Sequence, residues 1–187
     1  MTSLSAVKLP PTDYLNECLS YDIDLGTLTW NVRPTHHFKN AHGMNTFNAK
    51  YAKNVATNLI NGRYLSVTLL GRKCLAHRVI WKMVTGDEPG AFIDHKDTNK
   101  VNNRFSNLRP ATRQQNAFNA GTRSNNSTGF KGVSYDKHRG KYYACIQVNG
   151  KSKSLGRFDS AEQAGKKYQE AAQKAHGEFM RYDNENS

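Results

Sequence analysis

The chain has 187 residues, 37% of them hydrophobic, and its 27 Lys and Arg outnumber 15 Asp and Glu to give a formal charge of +12. No stretch approaches a run of 18 apolar residues and Met1 to Leu9 is too short and polar for a secretory h-region, so neither a membrane span nor a signal peptide is expected. Three cysteines, Cys18, Cys74 and Cys145, lie far apart without CxxC spacing, which speaks against a cysteine-built zinc site and for a reducing, cytoplasmic setting.

Taken in order, Tyr14 to Leu19 reads as a short helix. Asp24 to Gly26 has turn chemistry, and Thr27 to Trp30 has strand composition. His36-His37 reads as a solvated loop without an acidic or cysteine neighbour at ligand spacing, and no metal role is expected there. Tyr64 to Leu70 and Lys73 to Ala76 read as two strands joined at Gly71-Arg72. A helix follows over His77 to Thr85, with Val79, Ile80, Met83 and Val84 as its buried face and Gly86 as its stop. At its start, His77 and Arg78 suit either a phosphate contact or a place beside the core.

The next stretch, Ile93 to Asn116, concentrates polar chemistry. A short strand over Ala91 to Ile93 delivers Asp94 and His95 to a loop rich in asparagine. Leu108 starts a second strand, and Thr112 with Gln115 forms a capping box for a helix that ends near Ala120. Hydrolysis of a phosphodiester needs an activated water and a stabilised leaving oxygen. A neutral histidine takes the proton near pH 7, and one hard divalent ion polarises the phosphate. The carboxylate of Asp94 and the amide oxygen of Asn116 suit a magnesium-type ion. Because successive side chains on an extended strand point oppositely, one of Asp94 and His95 is expected to hold metal while the other faces water. The structural alternative is a polar loop of Asx turns.

Asp94-His95, Asn102-Asn103-Arg104, Asn107-Leu108-Arg109 and Asn116, with the preceding Ala76-His77-Arg78-Val79-Ile80-Trp81 helix, resemble the HNH endonuclease family in its phage and homing-endonuclease branch. The similarity runs over about Tyr64 to Asn119, and more weakly from Tyr21. It implies a ββα-metal site in which His95 is the general base and Asp94 and Asn116 are the metal ligands. Asn107 would hold the loop and the orientation of the histidine through backbone hydrogen bonds. Arg104 would be a phosphate or transition-state contact, or a surface arginine. Many family members carry histidine where this chain has Asn116, which suits Mg2+ or another hard cation such as Mn2+.

Gly121 to Gly129 reads as a polar linker. Beyond it come a strand over Gly132 to Asp136, a turn at His138 to Gly140, a strand over Lys141 to Val148, an Asn149-Gly150 hairpin, and a strand over Lys151 to Gly156. Asp159 to Glu162 then caps a helix running to about Ala175, with Ala161, Ala164, Tyr168, Ala171, Ala172 and Ala175 on one face. Alternation turns Tyr142, Ala144, Ile146 and Val148 toward that helix and leaves Tyr143, Cys145 and Gln147 on the open side. Lys131-Gly132-Val133, Gly140 to Ile146 and Leu155 to Ala164 resemble the plant ethylene-response-factor, or Apetala-type, DNA-binding domain, which lays such a sheet in the major groove. The arginines and tryptophan of the plant pattern are largely missing. Arg139, Lys141, Lys151 and Lys153 supply a basic rim, and with Tyr143, Gln147, His77 and Arg78 they are the expected DNA contacts.

The charge is shared, with 15 Lys and Arg against 8 Asp and Glu in residues 1–120 and 12 against 7 in residues 121–187, so both parts suit a polyanion. The expected fold is α+β. A ββα-metal nuclease domain with a β-rich N-terminal extension occupies 1–120, a linker 121–129, and a three-stranded antiparallel sheet on one helix 130–180. The expected function is metal-dependent cleavage of double-stranded DNA at a preferred site by a monomer with no small-molecule cofactor, in the cytoplasm of a bacterial host if phage-encoded. The alternatives are a non-catalytic DNA-binding regulator and an RNA-directed nuclease.

Overall fold

A computed structural model describes residues 8–119, 122, 126–148 and 150–179. It falls into two compact units, one through Arg113 and one from Gln114. Among the described residues no helix is long and apolar enough to cross a membrane. Asn149 and, within the Gly121 to Gly129 stretch, residues 121 and 123–125 lie outside the described residues.

The first unit begins with helix α1 (Thr12–Cys18), followed by the antiparallel hairpin β1 (Leu19–Asp22) and β2 (Thr27–Trp30). Asp22 builds the turn between them: its carboxylate accepts from the backbone N–H of Asp24 and Leu25 at 3.0 and 2.9 Å. A 3-10 turn (Thr35–His37) and helix α2 (Ala41–Tyr51) come next. Helix α2 carries no buried residue and no apolar stripe, so periodicity does not reveal it. Its start is fixed by Asn40, whose side chain accepts from Gly43 N at 2.9 Å, and Phe47 packs edge-on against Trp30.

A three-stranded antiparallel sheet follows, in the order β3 (Asn58–Ile60), β4 (Tyr64–Leu69), β5 (Arg72–Leu75). The turn between β4 and β5 is Leu70-Gly71, one residue earlier than the composition suggests, and both residues have positive φ, as a two-residue hairpin requires. Helix α3 (Ala76–Thr85) ends at Gly86 in the left-handed conformation, φ 79°. Its inner face carries Val79 and Ile80 as expected, but Val84 is exposed and Lys82 is turned in, donating to Glu88 at 2.5 Å. Burying the stem while the ammonium finds a carboxylate lets a lysine occupy that face.

Strands β6 (Phe92–His95) and β7 (Leu108–Ala111) pair antiparallel, placing Asp94 opposite Arg109 and His95 opposite Leu108. One core joins Leu15, Leu28, Val67, Val79, Ile80, Ile93 and Leu108 beneath this pair. Helix α4 (Arg113–Asn119) follows β7.

The second unit is an antiparallel sheet in the order β10 (Lys151–Phe158), β9 (Lys141–Val148), β8 (Val133–Asp136), packed on helix α5 (Ala161–His176). The helix is capped by Ser160, which accepts from Gln163 N at 3.2 Å. Val133, Ala144 and Ile146 are buried against Ala164 and Ala172, while Ala175 is exposed. Two glycines permit this close packing. A Cβ on Gly165 would lie 2.3 Å from the Phe130 ring, and one on Gly132 would lie 2.2 Å from the Tyr168 ring.

Candidate active site

The site is built on the β6–β7 pair and the loop between its strands. Asp94 and His95 are the last residues of β6, and both are buried, at 5% and 4% exposed. Neither side chain is turned out to bulk solvent, which corrects the expectation that alternation along the strand leaves one of the two open to it. Opposite Asp94, Arg109 donates from Nε and Nη2 to Oδ2 at 3.0 and 2.8 Å. His95 lies beside His77, ring centroids 5.1 Å apart and nearly perpendicular, with Tyr64 6.4 Å away.

His95 Nε2 is 3.0 Å from Oδ1 of Asn103, which is itself only 1% exposed. An amide oxygen only accepts, so the imidazole proton sits on Nε2 and the basic lone pair on Nδ1. Burial pushes the His95 pKa below the usual histidine value, against the opposing pull of Asn103, Asp97 and Asp94. His95 is therefore neutral at pH 7, the form a general base needs. Burial also pushes His77, whose Nδ1 has no partner, down to about 3, with the neighbouring His95 and Arg78 adding to the shift.

Asn107 staples the loop rather than touching the histidine. Its Nδ2 donates to Asp97 Oδ1 and to the Asn102 carbonyl, both at 2.8 Å, and its Oδ1 accepts from Asp97 N at 3.0 Å. Its carbonyl also accepts from Lys96 N at 2.9 Å. Asp97 gathers further bonds from Asn102 Nδ2 at 2.6 Å and Asn99 N at 2.9 Å. Burial raises this carboxyl, but the amide hydrogen bonds outweigh it and hold Asp97 below the ordinary value.

The remaining expected residues fall in different places. Arg78 is buried, and its guanidinium donates to the carbonyls of Gly90 at 2.8 Å and Pro89 at 3.2 Å. It is a core residue tying α3 to the following loop, and His77 is likewise 5% exposed, so the phosphate reading of this helix start is corrected. Arg104 donates from Nε to the Asp24 carbonyl at the tip of the first hairpin. Asn116 lies half-buried on α4.

The fold also corrects the His36-His37 reading. Glu17 and Cys18 at the end of α1 are brought to the pair, with His36 Nε2 and His37 Nε2 at 3.0 and 2.6 Å from Glu17 Oε2. These three groups have the composition of a cation site. However, Arg33 Nε donates to His37 Nδ1 at 3.2 Å, so the His37 proton sits on Nε2 and is given to Glu17. Arg33 is held in place by Phe38 and Phe47, each 4.9 Å from its guanidinium carbon, and by Tyr14 OH at 2.7 Å. The group is a clasp between α1 and the 3-10 turn.

On the second unit, Tyr142, Ala144, Ile146 and Val148 turn toward α5, as alternation predicts. Cross-strand neighbours share a face, so the register assigns the rest. Ser152 opposite Gln147, Ser154 opposite Cys145, and Arg157 opposite Tyr143 share the open face with Ser134. Lys151 and Lys153 stand opposite Val148 and Ile146, which corrects their placement to the helix side. A bulge at Leu155 then shifts the alternation and brings Arg157 onto the open face, 5.3 Å over the Tyr143 ring. Arg157 and Arg139 both pair with Asp136, and Lys141 pairs with Asp159. Sequence reasoning names Asn103 and Arg157 only inside the segments that carry the resemblances and gives neither of them a role.

A family profile described as HNH endonuclease matches residues 74–118, and one described as AP2 domain matches residues 128–178. Protein 3.8 of Escherichia phage T7 is 32% identical over 107 residues, covering 57% of this chain and 88% of that protein. An uncharacterized HNH endonuclease of Acanthamoeba polyphaga mimivirus is 38% identical over 109 residues, covering 57% of this chain and 56% of that protein. No solved structure matches.

Proposed function

Because the chain belongs to the HNH endonuclease family and carries an AP2 domain at its C-terminal end, we propose that it is a metal-dependent endonuclease that hydrolyses phosphodiester bonds of duplex DNA at a preferred site, in the manner of phage homing endonucleases. The observation that carries this reading is the His95–Asn103 hydrogen bond, which gives a neutral imidazole one defined tautomer at the end of β6. His95 Nδ1 takes a proton from the attacking water as the new oxygen–phosphorus bond forms. The bond to the 3′ oxygen breaks, and solvent reprotonates that oxygen. Asn107 and Asp97 hold the loop rigid so that the imidazole keeps its aim.

Asp94 and Asn116 offer hard oxygen donors, the chemistry of a Mg2+ or Mn2+ site. Bound there, the ion supplies charge neutralisation at the phosphate and the leaving oxygen. Arg109 already engages Asp94 Oδ2, and this is the one observation that favours a catalytically silent DNA-binding regulator instead. The open face of the β8–β10 sheet, with Tyr143, Gln147 and Arg157, is the proposed reader of the duplex, with Arg139 and Lys141 at its rim as phosphate contacts.

A metal titration of plasmid cleavage tests the reading. Asp94→Ala and Asn116→Ala should each raise the Mg2+ concentration needed for half-maximal cleavage, the first by more, since it removes the charged ligand. Titrations that match the wild type in both variants would place the metal elsewhere.

A further inference from the structure

The first hairpin, far in sequence from the β6–β7 pair and outside the stretch matched as HNH endonuclease, is built onto the loop that aims His95. The Tyr21 hydroxyl uses both of its hydrogen-bonding functions there. It donates to the Asn103 carbonyl at 3.1 Å and accepts from the Phe105 N–H at 2.8 Å, across more than 80 residues of chain. The tip of the same hairpin adds two more contacts. Arg104 Nε donates to the Asp24 carbonyl, and Gly26 lies so close to the loop that a Cβ on it would meet Arg104 N at 2.5 Å and the Asn103 carbonyl carbon at 2.7 Å. Gly26 has φ +72°, so glycine serves both the turn and the close approach. The clamped residue, Asn103, is the one whose side chain accepts from His95 Nε2.

We propose that Tyr21 is a positioning residue for DNA cleavage, its hydroxyl fixing the Asn103–Phe105 backbone so that the Asn103 amide orients the His95 imidazole. The inference rests on the reading of His95 as general base. The loop has no regular secondary structure between Asn102 and Arg104, so its backbone is placed by the bonds Asn107 makes within the loop, to the carbonyls of Asn102 and Arg104, and by these bonds from the hairpin. A phenol that gives one hydrogen bond and takes another to residues two apart sets both the position and the tilt of the peptide between them. A small displacement there is passed to an imidazole that must meet a water in line with phosphorus, and rates are steep in that geometry.

The test is Tyr21→Phe in the full chain, which removes one oxygen and keeps the ring in the core. Single-turnover cleavage of plasmid DNA at saturating protein and Mg2+ should slow by about tenfold, with DNA affinity within twofold of wild type. Asn103→Ala should slow cleavage at least as much. The double variant Tyr21→Phe/Asn103→Ala should be no slower than Asn103→Ala alone, because both act through one path. A general loosening of the fold would lower melting temperature and affinity and give additive losses. Wild-type cleavage by Tyr21→Phe, equal losses in rate and affinity, or additivity in the double variant would overturn the proposal. His95→Ala separates the two readings: if it is inactive while Tyr21→Phe is unimpaired, only the positioning role falls, and if it cleaves normally the base assignment falls with it.

Discussion

Replacing His95 by alanine is expected to slow DNA cleavage by about 10²-fold or more while DNA binding stays within a few-fold. The asymmetry follows from where the residue sits. At 4% exposure His95 adds nothing to the charged surface that attracts the phosphate backbone, which is spread over a chain of net charge +12. Its contribution is the basic lone pair on Nδ1, since the proton on Nε2 is given to Asn103. Alanine also removes the partner of Asn103 Oδ1, so His95→Gln is the companion variant, its amide N–H able to replace the lost donor while offering no basic nitrogen. Both variants should be folded and both slow. Near-normal cleavage by either, with Mg2+ present, would remove His95 from the role of base.

Gly132→Ala is expected to unfold the sheet-and-helix unit while leaving the nuclease unit folded. The added methyl would lie 2.2 and 2.3 Å from two Tyr168 ring atoms and 2.7 Å from the Cys145 carbonyl oxygen, in a backbone at φ +72°. The left-handed conformation alone costs an alanine about 1–2 kcal/mol, and driving the ring off its packed position adds about 1–3 kcal/mol. Together these rival the few kcal/mol that hold a core of this size, which includes only Val133, Ala144, Ile146, Ala164 and Ala172 as buried apolar side chains among the described residues. Gly140→Ala is the internal control, since Gly140 also has positive φ, 62°, but open space around it. Urea denaturation followed by near-UV and far-UV circular dichroism should show the second unit's transition lost in Gly132→Ala and only modestly shifted in Gly140→Ala. Equal, small shifts in both would contradict the packing described at Gly132.

The sequence made the hairpins legible through their turn residues, helix α3 through its apolar face and Gly86, and helix α5 through Ser160 and its run of small residues. It also brought Asp94 and His95 to the end of one strand. Other features depend on contacts that no local pattern carries. The loop from Asp97 to Asn107 holds four asparagines, all with suitable chemistry, and only the folded chain separates Asn107, which staples the loop, from Asn103, which meets the histidine. Tyr21 and Gly26 look like an ordinary strand residue and turn residue until the hairpin is seen against Asn103 and Arg104. Lys151 and Lys153, expected only as part of a basic rim, fall on the helix side because cross-strand register opposite Val148 and Ile146 fixes their face, and the bulge beyond them brings Arg157 to the other. Helix α2 leaves no periodic signal because it buries no residue.

The central claim, that this chain cuts duplex DNA through the β6–β7 site with a divalent ion, is tested most directly by incubating the full chain with supercoiled plasmid in Mg2+, in EDTA, and in Mg2+ with His95→Ala. The account predicts nicked or linear product only for the wild type in Mg2+, with the DNA bound in all three. Plasmid that is bound but left intact by the wild type in both Mg2+ and Mn2+ would contradict it, and would make the chain a DNA-binding protein that keeps the nuclease fold without its chemistry.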